Sequence, residues 1–180
     1  MRSRIICSVL ALTAGLFVST ALGQGASNAQ TTSVNKVLAT NGAGFNVAAV
    51  ESLIQRGDSA VASGNLGQAK KDYDNARTAS KQLLAFYRDL SGAFRGLDAR
   101  IPREMDAKGR KALSLLAQAN LRLAALFRRQ NQPEVAVPVL VEVVRLMTPA
   151  KPEGQKAYQS LVELGFVDTP FRGGQSTSGS

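Results

Sequence analysis

One set of spacings occurs twice in this chain of 180 residues. Gly64-x-Leu66-x-x-Ala69-x-x-x-Tyr73-x-x-Ala76 returns as Asn131-x-Pro133-x-x-Ala136-x-x-x-Leu140-x-x-Val143. A small residue stands well ahead of the turn in each copy, Gly57 in the first and Ala124 in the second. Intervals of three and four residues bring the spaced side chains onto one face of a helix. Small residues on that face, with a turn between the two runs, let two helices cross at short range. The pattern therefore commits the chain to helix-turn-helix hairpins and argues against a sheet.

The apolar intervals extend the same reading. A first helix is expected from Asn46, a capping residue, through Val50, Leu53, Ile54 and Val61 to Gly64. A second carries Leu66, Ala69, Tyr73, Ala76, Ser80, Leu83, Tyr87, Leu90, Phe94, Leu97 and Ile101 in unbroken alternation of three and four, the seam of a coiled coil. At ~1.5 Å per residue such a helix extends ~50 Å. Gly92 and Gly96 interrupt it, predicting a bend near Ser91, and the turn is placed at Ala99 to Arg103, with Pro102 closing one helix or opening the next. Met105, Ala112, Leu116, Ala119, Leu123 and Leu126 form the answering seam. A fourth helix follows Asn131-Gln132-Pro133 and a fifth runs from Pro152 to Leu164, ending at Gly165. The expected fold is all-α: about five helices in antiparallel hairpins, with a long coiled-coil-like central hairpin.

Arg2 and Arg4 precede an apolar run from Ile5 to Val18, followed by small residues, which reads as a secretory signal cut after Ala29 in preference to Gly23, with an uncleaved anchor as the alternative. Ser3 separates the two arginines, so the general secretory route is expected, ending in a periplasm or a thylakoid lumen. The segments are then 1–29 signal peptide, 30–45 flexible linker, 46–171 helical domain and 172–180 tail. The single cysteine, Cys7, lies in the signal, so neither a disulfide nor a thiolate metal site is expected in the mature chain. With Arg2 and Arg4 removed from 22 basic residues, 20 remain against 13 acidic ones, a formal +7 that favours acidic partners.

Basic side chains gather on the central hairpin and beside the second turn. Arg95, Arg100, Arg103, Lys108, Arg110, Lys111, Arg128 and Arg129 are the candidate partner-binding residues, either docking an acidic protein, a membrane-associated complex or an anionic membrane surface, or forming a solvated face with local ion pairs. Nucleic acid is not expected, because the aromatic residues keep core spacing instead of interleaving with the charges. Tyr73, Tyr87 and Phe94 lie on the seam, whereas Phe86 falls off it and is the candidate exposed aromatic. With no histidine, no mature cysteine, no Gly-rich phosphate loop and no Gly-x-Ser-x-Gly elbow, the chain is not read as an enzyme, and no catalytic, cofactor or metal residue is assigned.

The twofold pattern resembles the tetratricopeptide repeat. Gly57 and Ala124 match its helix-crossing position, Gly64 and Leu66, and in the second copy Pro133, its turn, and Ala69, Tyr73, Ala76, Ala136 and Leu140 its second-helix packing positions. Leu53 and Lys81 stand where the family has Trp and Pro, which argues against a typical concave peptide groove. The stretch from Ala119 to Phe171 is similar to exported helical proteins of cyanobacteria. Together these resemblances imply a scaffold for protein-protein interaction that assists a photosynthetic or envelope complex. A permanent subunit of such a complex, and a cell-wall hydrolase or its regulator, are the alternatives.

Overall fold

The computed structural model describes residues 45–171. The signal-peptide reading, nearly all of the linker and the tail lie outside them. The described residues form five helices and no strand: α1 Val47–Ala62, α2 Leu66–Ala93, α3 Arg100–Arg129, α4 Pro133–Met147 and α5 Pro152–Glu163. Successive helices pack as antiparallel neighbours, as the seams require.

Local chemistry sets each boundary. The Asn46 carboxamide accepts from the Ala49 amide at 2.8 Å and the Asn65 carboxamide from the Gln68 amide at 3.1 Å, capping α1 and α2. At α3 the cap position is Ala99, without a side-chain cap, and Asp98 before it accepts from the Arg100 amide at 2.8 Å, while Pro133 and Pro152 open α4 and α5, where a missing amide costs nothing.

Three helices end in the same hydrogen-bonded motif. Asn65 N–H reaches the Ala60 carbonyl, Gln132 N–H that of Phe127 and Phe166 N–H that of Leu161, with the preceding residue, Gly64, Asn131 or Gly165, at φ 78°, 56° or 76°. This double closure satisfies the last carbonyls of α1, α3 and α5 and needs a residue tolerant of the left-handed region. Gly165 follows Asn131 by the ~34 residues of one helical-hairpin repeat, whereas Gly64 and Asn131 stand almost twice that far apart. The extra length lies entirely in α2 and α3, of 28 and 30 residues against 16, 15 and 12 for the others.

The second helix is shorter than its seam suggests. It continues without a break through Ser91, whose buried hydroxyl donates to Asp106 across the hairpin at 2.7 Å, and stops at Ala93. Gly96 at φ 87° then reverses the chain, so the turn spans 94–99 and Pro102 sits inside the first turn of α3. Leu97, expected on the seam, stands at the apex and is 79% exposed.

Two apolar clusters form the interior. One joins Tyr73, Leu123, Leu126, Phe127, Leu140, Val143 and Leu161 across α2 to α5, and the other joins Val50, Ile54, Leu83, Tyr87, Met105 and Leu115 across α1 to α3. Of the residues expected to pack the repeats, Gly57, Ala69, Tyr73, Ala76, Ala124, Ala136 and Leu140 are buried, Leu66 and Pro133 are half-buried, and Gly64 is the exposed turn residue. A Cβ on Gly57 would stand 2.4 Å from Cε1 of Tyr73, so α1 and α2 cross there at a distance only glycine allows. The helices make two layers. In one, α3 touches both α1 and α5, whereas in the other no Cα of α2 comes within 8 Å of one of α4. The helices α1, α3 and α5 thus form the closer-spaced, inner layer.

Candidate partner-binding surface

Two depressions flank α3 on that inner layer and share Gln118 and Arg122 as their common wall. The larger, about 480 Å³, lies between α3 and α5. Leu121, Ala124, Ala125 and Leu140 supply its apolar lining, and Arg122, Arg128, Glu153, Lys156 and Ser160 its polar rim. The smaller, about 230 Å³, lies between α1 and α3 and is bordered by Glu51, Gln55, Asp58 and Lys111. The size, the apolar lining and the few convergent polar groups of the larger cleft suit an extended ligand.

The charges around it are held in place from below. Asp58 on α1 accepts from the Tyr73 hydroxyl of α2 at 2.6 Å and from Nε of Arg122 on α3 at 2.8 Å, tying three helices at one carboxylate. Burial pushes the Asp58 carboxyl up, but the bonds from Arg122 and Tyr73, with the Arg122 charge, outweigh it and hold the group below its ordinary value. Burial and the same carboxylate push the Tyr73 phenol above its ordinary value. Next to it, buried Asp72 accepts from Arg56 at 2.8 Å and Gln68 at 2.9 Å. Burial raises its pKa and these partners lower it further, leaving it below the usual carboxylate range. Arg128 reaches Glu163 at 3.2 Å on the exposed rim, and Lys156 makes no ion pair among the described residues.

The eight basic residues singled out in the sequence do not form one surface. Arg128 borders the α3–α5 cleft, Lys111 the α1–α3 depression, and Arg95 and Arg110 a third pocket on the central hairpin. Four are engaged: Arg100 with Asp98, Lys108 with Glu104, Lys111 with Glu51 and Arg128 with Glu163. Arg95, Arg103, Arg110 and Arg129 make no ion pair among the described residues. Phe86 is 45% exposed, edge-on to Phe45 at 5.6 Å, while Tyr73 and Tyr87 are buried. Among the described residues no group of three or more His, Cys, Asp or Glu side chains is placed to hold a metal, and no helix is long and apolar enough to cross a membrane.

The chain matches no known protein family, no curated protein and no solved structure. The surface therefore has to be read from its own residues. Sequence reasoning missed most of the cleft: Gln118, Arg122, Lys156 and Ser160 carry no spacing signal of their own. The signal that leads to them is the distance from Asn131 to Gly165, one repeat length, which marks α5 as a third inner-layer helix facing α3. It also missed Gly154, where a Cβ would fall 1.9 Å from the Thr148 carbonyl oxygen and which fixes how closely α5 approaches the end of α4.

Proposed function

We propose that this protein is an exported helical-repeat scaffold that holds a segment of a partner protein in the α3–α5 cleft, assisting assembly or maintenance of a membrane-associated complex. The observation that carries the reading is the cleft on the inner layer, apolar at Leu121, Ala124, Ala125 and Leu140 and cationic at Arg122, Arg128 and Lys156. Small side chains at Ala124 and Ala125 let a partner backbone approach the helix, and the basic rim favours a segment with acidic residues. The Arg128–Glu163 pair is exposed on both sides, so it contributes little in water and is readily exchanged for a partner's carboxylate. The three equivalent helix ends at Gly64, Asn131 and Gly165 support the resemblance to tetratricopeptide repeats, and the formal charge of +7 left without Arg2 and Arg4 supports an acidic partner. The reading assigns no catalysis to the chain.

The test is site-specific photocrosslinking in the native host. A photoreactive residue at Ala125, in the cleft, is expected to trap one partner, with yield reduced by Lys156→Glu. The same residue at Gln82, exposed on α2, is expected to trap none. Identical adducts at both positions would sink the proposal.

A further inference from the structure

The end of the central hairpin carries a second site, distinct from the cleft. Gly57 opposite Tyr73 and Phe45 against Phe86 fix the register of α1 on α2, so α1 begins beside Leu83 and α2 continues to Ala93. Ten further residues make an overhang of ~15 Å beyond α1. On the other side, α4 has 15 residues and returns along only the second half of α3.

A pocket of about 260 Å³ opens in this overhang between α2 and α3. Leu84, Tyr87, Met105 and Leu113 give it an apolar floor, and Gly109 leaves it open because a side chain is missing there. Arg88, Arg95 and Arg110 surround it, and none of the three guanidinium groups makes an ion pair or hydrogen bond among the described residues. The carboxylate in its lining, Asp106, already accepts from Ser91. Leu97 stands at the apex, 79% exposed, with Arg103, also without an ion pair, on the adjoining first turn of α3. Arg95, two residues before Leu97, borders the pocket at its apical end, and the pocket extends back to Leu84, about 14 Å from the end of α2.

We infer that the hairpin end is a contact for anionic membrane lipid, in which Leu97 enters the acyl boundary and the Arg88, Arg95 and Arg110 pocket takes a phosphate headgroup. Two features favour lipid over an acidic peptide. The most exposed large apolar side chain among the described residues sits at the turn of the hairpin, with guanidinium groups that have no ion pair among the described residues arrayed behind it along both helices. Guanidinium groups without protein partners are suited to forked hydrogen bonds with phosphate oxygens. The inference is independent of the cleft: its failure leaves the crosslinking result at Ala125 untouched.

The experiment places an environment-sensitive fluorophore on Leu97→Cys in the full chain, with Cys7→Ser. The probe reports the hairpin end whatever the apolar run Ile5 to Val18 does at the same membrane. With vesicles of phosphatidylcholine and phosphatidylglycerol in equal parts it should shift to the blue and brighten, and with phosphatidylcholine alone it should not. Each arginine near an anionic surface contributes about fivefold to partitioning, so Arg88→Gln, Arg95→Gln and Arg110→Gln together should lower it roughly a hundredfold. Circular dichroism checks that the triple variant keeps its helices, as expected for three exposed, unpaired positions. A probe that stays in water with both vesicles, or responds equally to both, overturns the inference. So does a probe that ignores vesicles but responds to a glutamate-rich peptide, which would give the pocket to an acidic protein.

Discussion

Replacing Gly57 by alanine and Gly109 by alanine should have opposite effects, although both are buried glycines inside helices. Each substitution gains up to ~1 kcal/mol of helix propensity. At Gly109 the added Cβ meets Cβ of Tyr87 at 3.7 Å and Cδ1 of Leu84 at 3.9 Å, ordinary contact, so the gain is retained. At Gly57 it would stand 2.4 Å and 2.6 Å from Cε1 and Cδ1 of Tyr73, where carbons settle at ~3.5–4.0 Å. The ring is 2% exposed and its hydroxyl is bonded to Asp58, so it can retreat only by overpacking the core and stretching that bond. Overpacking costs about 1–3 kcal/mol and a lost bond to a charged acceptor about 1.5–3 kcal/mol, so the net loss after the propensity gain is about 1.5–5 kcal/mol. The second repeat has already made the compensated change, with Ala124 where the first has Gly57 and Leu140 where it has Tyr73. Gly57→Ala should therefore lose most of its cost in a Tyr73→Leu background. Urea unfolding followed by circular dichroism measures all four corners of that cycle. An equal cost of Gly57→Ala in both backgrounds, or the same sign at positions 57 and 109, would refute the steric argument.

Three further outcomes are expected. Gly154→Ala should destabilise by at least ~2 kcal/mol in the same unfolding assay, because the atom it meets is the backbone carbonyl of Thr148, which cannot swing aside; an unchanged midpoint would contradict this. Stability should hold from neutral pH down to about 5 and then fall, since Asp58, Asp72 and Glu142 are all held below their ordinary values. The unfolded chain binds protons at these groups before the folded one does, so the loss runs downward in pH, and thermal melts across an acid series that stayed flat below that range would overturn it. Asn120 is fully buried with neither side-chain amide atom hydrogen-bonded, so Asn120→Ala should change stability by less than about 1 kcal/mol, against about 2–5 kcal/mol lost for Leu123→Ala. A comparable loss at the two positions would mean that the amide has a partner in solution.

The fold was legible because its two determinants are local and periodic. Small residues at Gly57, Ala69 and Ala124 mark crossings, and Gly64, Asn131 and Gly165 mark helix ends, each from a conformational requirement visible in one residue. The seam was misleading beyond Leu90, because periodicity cannot tell that Gly96 will adopt a positive φ and turn Leu97 away from the partner helix. The cleft was scarcely legible. Its walls come from α3 and α5, whose adjacency depends on repeat length and not on any motif, and its cations differ from other surface cations only in which carboxylate reaches them. The same limit applied to the hairpin: Arg100 and Lys108 look like Arg95 and Arg110 in the sequence, yet among the described residues the first two have ion pairs and the last two do not.

The outer layer is joined differently from the inner one. With no Cα of α2 within 8 Å of one of α4, the polar tie between these helices is Glu142, which receives Lys81 at 2.7 Å and also Arg77. Those two cations sit near the root of the overhanging hairpin, which makes the hairpin a lever with its brace at the short end. A tilt of about 10° at the root would carry the tip of a ~15 Å arm by roughly 3 Å. Burial raises the Glu142 carboxyl, while Lys81 and Arg77 pull it below its ordinary value, so the brace keeps its charge well into acid. On the α4 side the arm is thus braced by one carboxylate, and Glu142→Gln would loosen that brace while leaving the helices that compose the arm intact.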